Sequence, residues 1–198
     1  MKKYLKYLII PAVLLIAWQL YKTGKKVNPN PDKEIGQVVD SFNGVYVYFN
    51  GGVGNTSGRN LSEDGYNIGI KYQCVEFVKR YYYQFYHHKM PDSYGNAKDF
   101  FDNSLPDSTY NSKRDLVQYT NGSKVKPMTG DLVIFGPTTW NQYGHVAIIT
   151  EVTDDEVFII QQNPGPFADS RISIPLIFEH NTWSIGAGDH TLGWLRKQ

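Results

Sequence analysis

The sequence predicts an α+β fold in which a helix precedes an antiparallel sheet. Three observations support this prediction. Apolar residues recur at spacings of three and four after Cys74, short apolar strands follow one another from residue 132, and turns rather than long crossovers join those strands. Helical spacing followed by short, turn-linked strands is typical of α+β domains.

The predicted helix begins at Cys74 and continues to about residue 86, with Val75, Phe77, Val78 and Phe85 among its apolar positions. A strand, "GVYVYFN" (44–50), precedes it and is followed by a loop rich in Gly, Asn and Ser. That loop lacks the Gly-Lys-Ser/Thr ending of a phosphate-binding loop. We therefore interpret it as a surface loop.

Three further segments predict the strands of an antiparallel meander: "TGDLVIFG", "GHVAIITEV" and "EVFIIQQN". The last segment, "TLGWLRKQ", is expected to close the sheet as an edge strand. The polar stretch 92–126 is expected to be an insertion, with short helical contacts at 99–101 and 116–117.

The N-terminus carries an apolar stretch, Tyr7–Tyr21, preceded by Lys2, Lys3 and Lys6. This pattern predicts a signal anchor or signal peptide over 1–22, a linker over 23–34 and a single domain over 35–198. Because no small-residue cleavage pattern follows, we expect an uncleaved membrane anchor and an exported C-terminal domain. The alternative is a buried N-terminal helix of a cytoplasmic protein.

The composition of the chain argues against several kinds of partner and cofactor. The chain has 20 Lys and Arg against 19 Asp and Glu, so it has no basic field for nucleic-acid binding. Its single cysteine excludes an internal disulfide and leaves one free thiol. The spacing of His and Cys fits no zinc site, so we expect neither metal nor cofactor. The oligomeric state stays open.

The free thiol has a chemical interpretation. At a helix N-terminus, the helix dipole and unpaired N–H groups favour the thiolate of Cys74. His145 opens a strand and is the candidate to accept its proton. Period-two alternation places Gln161 and Asn163 on one face, so Asn163 is expected to orient the imidazole through its amide oxygen.

Each residue also has a structural interpretation. Cys74 could be a small buried hydrophobe, His145 a hydrogen-bonded structural histidine, and Asn163 a turn residue before Pro164. Their occurrence together in one chain favours the catalytic interpretation.

The segments "YQCVEFVKRYY", "TGDLVIF", "GHVAIITEV" and "IIQQNPG", in this order, resemble the CHAP amidase domain (cysteine- and histidine-dependent amidohydrolase/peptidase). The resemblance covers most of residues 35–198 and is greatest to the glutathionylspermidine-amidase-like branch. It implies a papain-like (CHAP/NlpC-like) fold with N-terminal helices packed on an antiparallel sheet. By motif, Cys74 is the nucleophile, His145 the general base and acid, and Asn163 the trailing Asn. Gln73 and the Cys74 backbone amide would bind the oxyanion.

One position departs from the family pattern, because Gln161 stands where the family usually carries Glu. A neutral amide can still orient the imidazole, but it supplies no charge to stabilise an imidazolium. The resemblance implies a cysteine amidase acting through a thioacyl intermediate, with peptidoglycan peptides as substrate if the domain is exported. A glutathionylspermidine-type small peptide amide, a catalytically weak peptide-binding module and an acyltransferase stay open as alternatives.

Overall fold

The computed structural model describes residues 2–186 and 190–198. Helices and strands follow the chain in this order: α1 (Lys2–Gly24), β1 (Val38–Phe42), β2 (Val45–Tyr48), β3 (Arg59–Leu61), β4 (Asn67–Ile70), α2 (Cys74–Phe85), a one-turn 3₁₀ helix (Ala97–Phe100), β5 (Thr109–Asn111), β6 (Leu116–Thr120), β7 (Leu132–Phe135), β8 (His145–Val152), β9 (Glu156–Ile160), β10 (Arg171–Glu179), β11 (Thr182–Ile185) and β12 (Thr191–Arg196).

A large antiparallel sheet dominates the fold, with the strand order β11-β10-β9-β8-β7-β12-β6-β5. Strands β7, β8 and β9 form the predicted meander, and β10 and β11, which were not predicted, continue it. Two small hairpins, β1-β2 and β3-β4, lie outside this sheet. The predicted α+β class is therefore confirmed, and the sheet is compatible with a CHAP fold.

The C-terminal strand β12 is not the edge strand that we predicted. It lies inside the sheet, where Trp194 pairs with Val133 on one side and with Tyr119 on the other. The stretch 92–126 supplies the extra strands β5 and β6, so residues 116–117 are strand rather than helix. The backbones pack so closely here that a Cβ on Gly193 would lie 2.0 Å from the carbonyl oxygen of Tyr119.

Helix α2 packs on one face of the sheet, and this packing determines where the candidate nucleophile lies. On that side Phe77, Val78 and Tyr82 of the helix are buried with Val146 and Ile148 of β8. A second apolar cluster covers the opposite face and includes Val133, Ala147, Ile149, Ile159 and Trp194. Alternation along β8 therefore holds the strand between two cores, and its first residue, His145, emerges at one end.

Helix α1 covers most of the segment for which a signal anchor or signal peptide was predicted. It exposes its apolar side chains from Ile9 to Tyr21. Across residues 2–186 and 190–198, no helix has the length and apolar character to cross a membrane. The signal anchor or signal peptide over residues 1–22 stays a prediction.

The segment after α1 contacts three loops of the domain. The N–H of Gly54 donates to the carbonyl of Lys25 (2.8 Å), and the Lys25 ammonium donates to the carbonyl of Trp140 (3.3 Å). Further along, the Asn30 side chain donates to the carbonyl of Pro166 (2.9 Å). The predicted boundary between linker and domain stays a prediction.

Candidate active site

Cys74 is the first residue of α2, and its thiol is half-buried. The sulfur accepts hydrogen bonds from the backbone N–H groups of Cys74 and Val75 in the helix and of Val146 in β8. The thiol therefore lies between the helix N-terminus and the strand, next to the residue that follows His145. Burial nevertheless raises the pKa of Cys74 to about 11, because the three amides offset only part of the desolvation.

His145 opens β8 and is half-buried against Phe135, whose ring it stacks on at 6.2 Å between centroids. Its Nε2 lies 2.9 Å from Oε1 of Gln161. Burial lowers the pKa of His145 to about 4, although the hydrogen bond that the ring makes to Gln161 acts in the opposite direction. The imidazole is consequently neutral at pH 7.

The hydrogen bonds around Gln161 determine which imidazole nitrogen carries the proton. Nε2 of Gln161 donates to the carbonyl of Asp169 (3.1 Å), so Oε1 is the atom that faces His145. Because Oε1 can only accept, Nε2 of His145 must donate to it. Nδ1 is then left with a free lone pair, which is the form that a general base requires.

The charge state of the pair corrects an expectation from the sequence. The helix N-terminus predicted a lowered thiol pKa and a thiolate, whereas burial raises the pKa of Cys74 and lowers that of His145. Both changes favour neutral groups. In the free protein the site therefore holds a neutral thiol and a neutral imidazole, and charge has to develop during a reaction.

The role expected for Asn163 also requires correction, because Gln161 rather than Asn163 bonds to the imidazole. The Asn163 amide nitrogen donates to Oε1 of Gln73 (2.8 Å) and to the carbonyl of Val53 (3.0 Å). Its Oδ1 is buried and has no hydrogen-bond partner within the described part of the chain. Asn163 thus contacts the residue before Cys74 instead of the histidine.

Gln73, predicted to bind an oxyanion, is engaged elsewhere in the free structure. Its amide nitrogen donates to the carbonyl of Asn55 (2.7 Å) and, at 3.4 Å, to that of Val53. The backbone of Gln73 is extended and caps α2, which directs the N–H of Cys74 out of the helix start. Of the two predicted oxyanion donors, the Cys74 amide is the one that lies at the thiol.

A buried polar network beneath the site was missed from the sequence. Gln162 donates to the carbonyl of Gln73 and to Glu76, both at 2.9 Å. Glu76 in turn pairs with Arg80 one turn later in α2 (2.7 Å). The spacing of Glu76 and Arg80 was a visible signal for a helical ion pair, but nothing in the sequence connected it to Gln162.

Exposed aromatic side chains lie at the rim of the site, and a cavity lies behind it. Trp140 and Tyr143, in the loop leading to His145, are 78% and 66% exposed. A cavity of about 170 Å³ lies behind Gln161 and Asn163, with Lys33 in its lining. Across residues 2–186 and 190–198, no three His, Cys, Asp or Glu side chains are grouped to hold a metal ion.

The chain is similar to parts of several known proteins. The chain is 34% identical to trypanothione synthetase of Crithidia fasciculata over 107 residues, which is 54% of this chain and 16% of that protein. It is 34% identical to the bifunctional glutathionylspermidine synthetase/amidase of Escherichia coli (strain K12) over 116 residues, or 53% and 17% of the two chains. It is also 30% identical to endolysin PlyTW of Staphylococcus phage Twort over 98 residues, or 50% and 17%.

The chain spans less than a fifth of the length of these relatives. The family model described as "CHAP domain" matches residues 64–163, which is half of the chain. This match contains Cys74, His145, Gln161 and Asn163. The chain belongs to the CHAP domain family.

Proposed function

We propose that this protein is a cysteine amidohydrolase that cleaves an amide bond in a peptide through a thioacyl intermediate. One observation carries the proposal. The Cys74 thiol is hydrogen-bonded by the backbone of Val146, next to a His145 whose tautomer leaves Nδ1 free to accept a proton. A nucleophile, a base and an orienting acceptor are the parts that such a reaction needs.

Acylation begins with transfer of the thiol proton from Cys74 to Nδ1 of His145 as the sulfur attacks the substrate carbonyl. The backbone N–H of Cys74 donates to the developing oxyanion. When the carbon–nitrogen bond breaks, His145 returns its proton to the leaving amine. Gln161 holds the ring throughout by accepting from Nε2–H.

Deacylation uses the same groups with water as nucleophile. His145 takes a proton from water, the hydroxyl oxygen attacks the thioester carbon, and the sulfur of Cys74 leaves with that proton. The products are a carboxylic acid and the free thiol. Gln73 can add a second donor to the oxyanion only after its amide releases Asn55, so in our proposal its contribution follows substrate binding.

Peptidoglycan peptides are the substrate that we favour. The similarity to an endolysin supports this class, and the exposed Trp140 and Tyr143 offer an apolar rim for an extended peptide. The proposal requires the domain to meet peptidoglycan outside the cytoplasm. Cell fractionation tests that requirement, and a purely cytoplasmic protein would contradict it.

A small peptide amide of the glutathionylspermidine type is the second candidate substrate. It rests on the similarity to the bifunctional glutathionylspermidine synthetase/amidase. Incubation of the protein with each substrate class, followed by detection of released amines, distinguishes the two. Release from the small amide alone would reject the peptidoglycan assignment.

The experiment that tests the reaction compares wild type with Cys74→Ala in zymograms of cell walls and in the amine-release assay. We expect activity in the wild type and none in the variant, because the chain has no other thiol. Equal activity in both would refute the proposal. No activity in either, together with peptide binding, would favour a noncatalytic peptide-binding module.

A further inference from the structure

We propose that Gln162 is a positioning residue that holds the helix of the nucleophile against the end of β9. This inference rests on the proposed function for its kinetic part, although its effect on Cys74 can be measured without a substrate. It concerns neither the nucleophile nor the base, but the contact that connects the two segments carrying Cys74 and Gln161.

The amide of Gln162 is fully buried and fully bonded. Its nitrogen donates to the carbonyl of Gln73 and to Glu76, while its oxygen accepts from the N–H of Tyr48 (2.8 Å) and from Arg80 (3.4 Å). A glutamine amide has two donor hydrogens and two acceptor positions, and all four are used here. Such a side chain has a single well-defined orientation.

The two acceptors that bind the amide nitrogen of Gln162 belong to the start of α2. Gln73 immediately precedes the nucleophile, and Glu76 follows it by two residues. Glu76 is itself held by Arg80 (2.7 Å) and by Asn60 (2.8 Å). Because Glu76 and Arg80 are almost completely buried, the pair needs these surrounding hydrogen bonds to stay in place.

The side chains of three consecutive residues, 161 to 163, bond to three different parts of the site. Gln161 bonds to the imidazole, Gln162 to the helix start, and Asn163 to the side chain of Gln73. A displacement of Gln162 would therefore move the orienting acceptor of His145 and the nucleophile helix relative to each other. Misplacement of reacting groups by about 1 Å can lower a rate about 100-fold.

The thiol itself reports this displacement. Its sulfur accepts N–H donors from both sides, Cys74 and Val75 in α2 and Val146 in β8. A small shift of the helix start lengthens the hydrogen bond from Val146 while the packed core keeps the sulfur buried, so the pKa of the thiol rises. Alkylation by iodoacetamide then slows at a given pH, and its pH profile moves to higher pH.

The test uses Gln162→Leu with Gln118→Leu as a matched control. Gln118 is also completely buried, and its amide is bonded on both sides, to the backbone of Asp102 and to Asn111, in β6 rather than at the site. Thermal unfolding identifies the temperature at which both variants are folded. There we expect Gln162→Leu to slow alkylation at least 3-fold and to shift its profile, with Gln118→Leu matching the wild type.

The kinetic part uses amide hydrolysis. We expect Gln162→Leu to lower kcat about 10- to 100-fold with KM changed less than 2-fold, and Gln118→Leu to change neither. Equal behaviour of the two variants in alkylation and in kcat would overturn the inference. If the wild type hydrolyses no amide while the alkylation difference persists, the proposed function fails and the positioning role stands.

A pair of substitutions provides rescue. Gln162→Glu alone places a carboxylate against Glu76, whereas Gln162→Glu with Glu76→Gln restores a donor between the two positions and keeps one negative charge for Arg80. We expect the double variant to recover part of the alkylation rate that Gln162→Glu loses. The single variants Gln162→Glu and Glu76→Gln each give a loss in alkylation rate. If the loss in the double variant equals the two single losses combined, a direct contact between these residues is contradicted.

Discussion

The neutral amide of Gln161 leads to the sharpest prediction, which is that Gln161→Glu makes the Cys74 thiol more reactive. The pKa of Cys74 is raised to about 11 and that of His145 is lowered to about 4. Moving the proton from sulfur to imidazole therefore costs about 10 kcal/mol before the two charges attract each other. Two unit charges about 4 Å apart attract each other by about 4 kcal/mol at the effective dielectric constant of a protein, and an attraction of that size is taken here to offset part of the cost.

With this free-energy difference, about 1 molecule in 10⁴ holds the thiolate–imidazolium ion pair. A carboxylate at the position of Oε1, 2.9 Å from Nε2 of His145, is expected to raise the pKa of the imidazole by about 1 to 3 units. The population of the ion pair rises by the same factor, about 10- to 1000-fold. The cavity behind Gln161, with Lys33 in its lining, leaves room for water at the new carboxylate.

One contact opposes this gain. Gln161 donates to the carbonyl of Asp169 (3.1 Å), and a carboxylate cannot donate there, so part of the free energy is lost as repulsion. We therefore expect the lower half of this range, about a 10- to 100-fold faster alkylation at pH 7. Gln161→Met is the control, since it fills similar space but neither orients nor charges the ring.

The assay measures iodoacetamide alkylation from pH 5 to pH 11, which reports Cys74 alone because the chain has one cysteine. NMR titration of the imidazole follows His145 in the same samples. A raised pKa of His145 with an unchanged alkylation profile would refute the coupling between ring and thiol. An unchanged pKa of His145 would refute the electrostatic reasoning itself.

Two further predictions concern stability. Burial lowers the pKa of His145 to about 4, so the unfolded state binds the proton first as the pH falls. The free energy of unfolding is therefore expected to fall by about 3 kcal/mol between pH 6.5 and pH 4. Denaturant titrations should show a smaller fall in His145→Asn, and an equal fall would contradict the assignment. Arg196→Met leaves the buried Asp131 carboxylate without its ion-pair partner and should lower the free energy of unfolding by about 3–5 kcal/mol. The control is the more exposed pair Arg171–Asp40, where Arg171→Met should lower it by about 1 kcal/mol or less.

The local periodicities of the chain predicted the helix from Cys74 and the strands β7, β8 and β9, because each depends on neighbouring residues alone. The position of β12 could not be predicted in this way. An apolar strand with Gly193 and Trp194 suits an edge or an interior position equally, and the choice depends on β5 and β6, which come from a stretch that appears polar.

The division of labour between Gln161 and Asn163 escaped prediction for a different reason. Alternation places them on one face only while the strand continues, but β9 ends at Ile160, and Asn163 has a φ of 57°. This left-handed conformation turns its side chain towards Gln73. The pKa of Cys74 was mispredicted because burial, which a sequence does not display, outweighs the helix N-terminus.

These observations together bear on whether Gln161 leaves the site inert. A glutamine at this position supplies the function that depends on geometry, since it accepts from Nε2 and leaves Nδ1 of His145 basic. It lacks only the charge, whose contribution we place at about 1 to 3 pKa units, or about 10- to 1000-fold in rate. Removal of the thiol would abolish the reaction altogether. Under the proposed function, the neutral site is expected to be that of a slower hydrolase in which proton transfer accompanies attack, and a wild type with no turnover would require a cause other than Gln161.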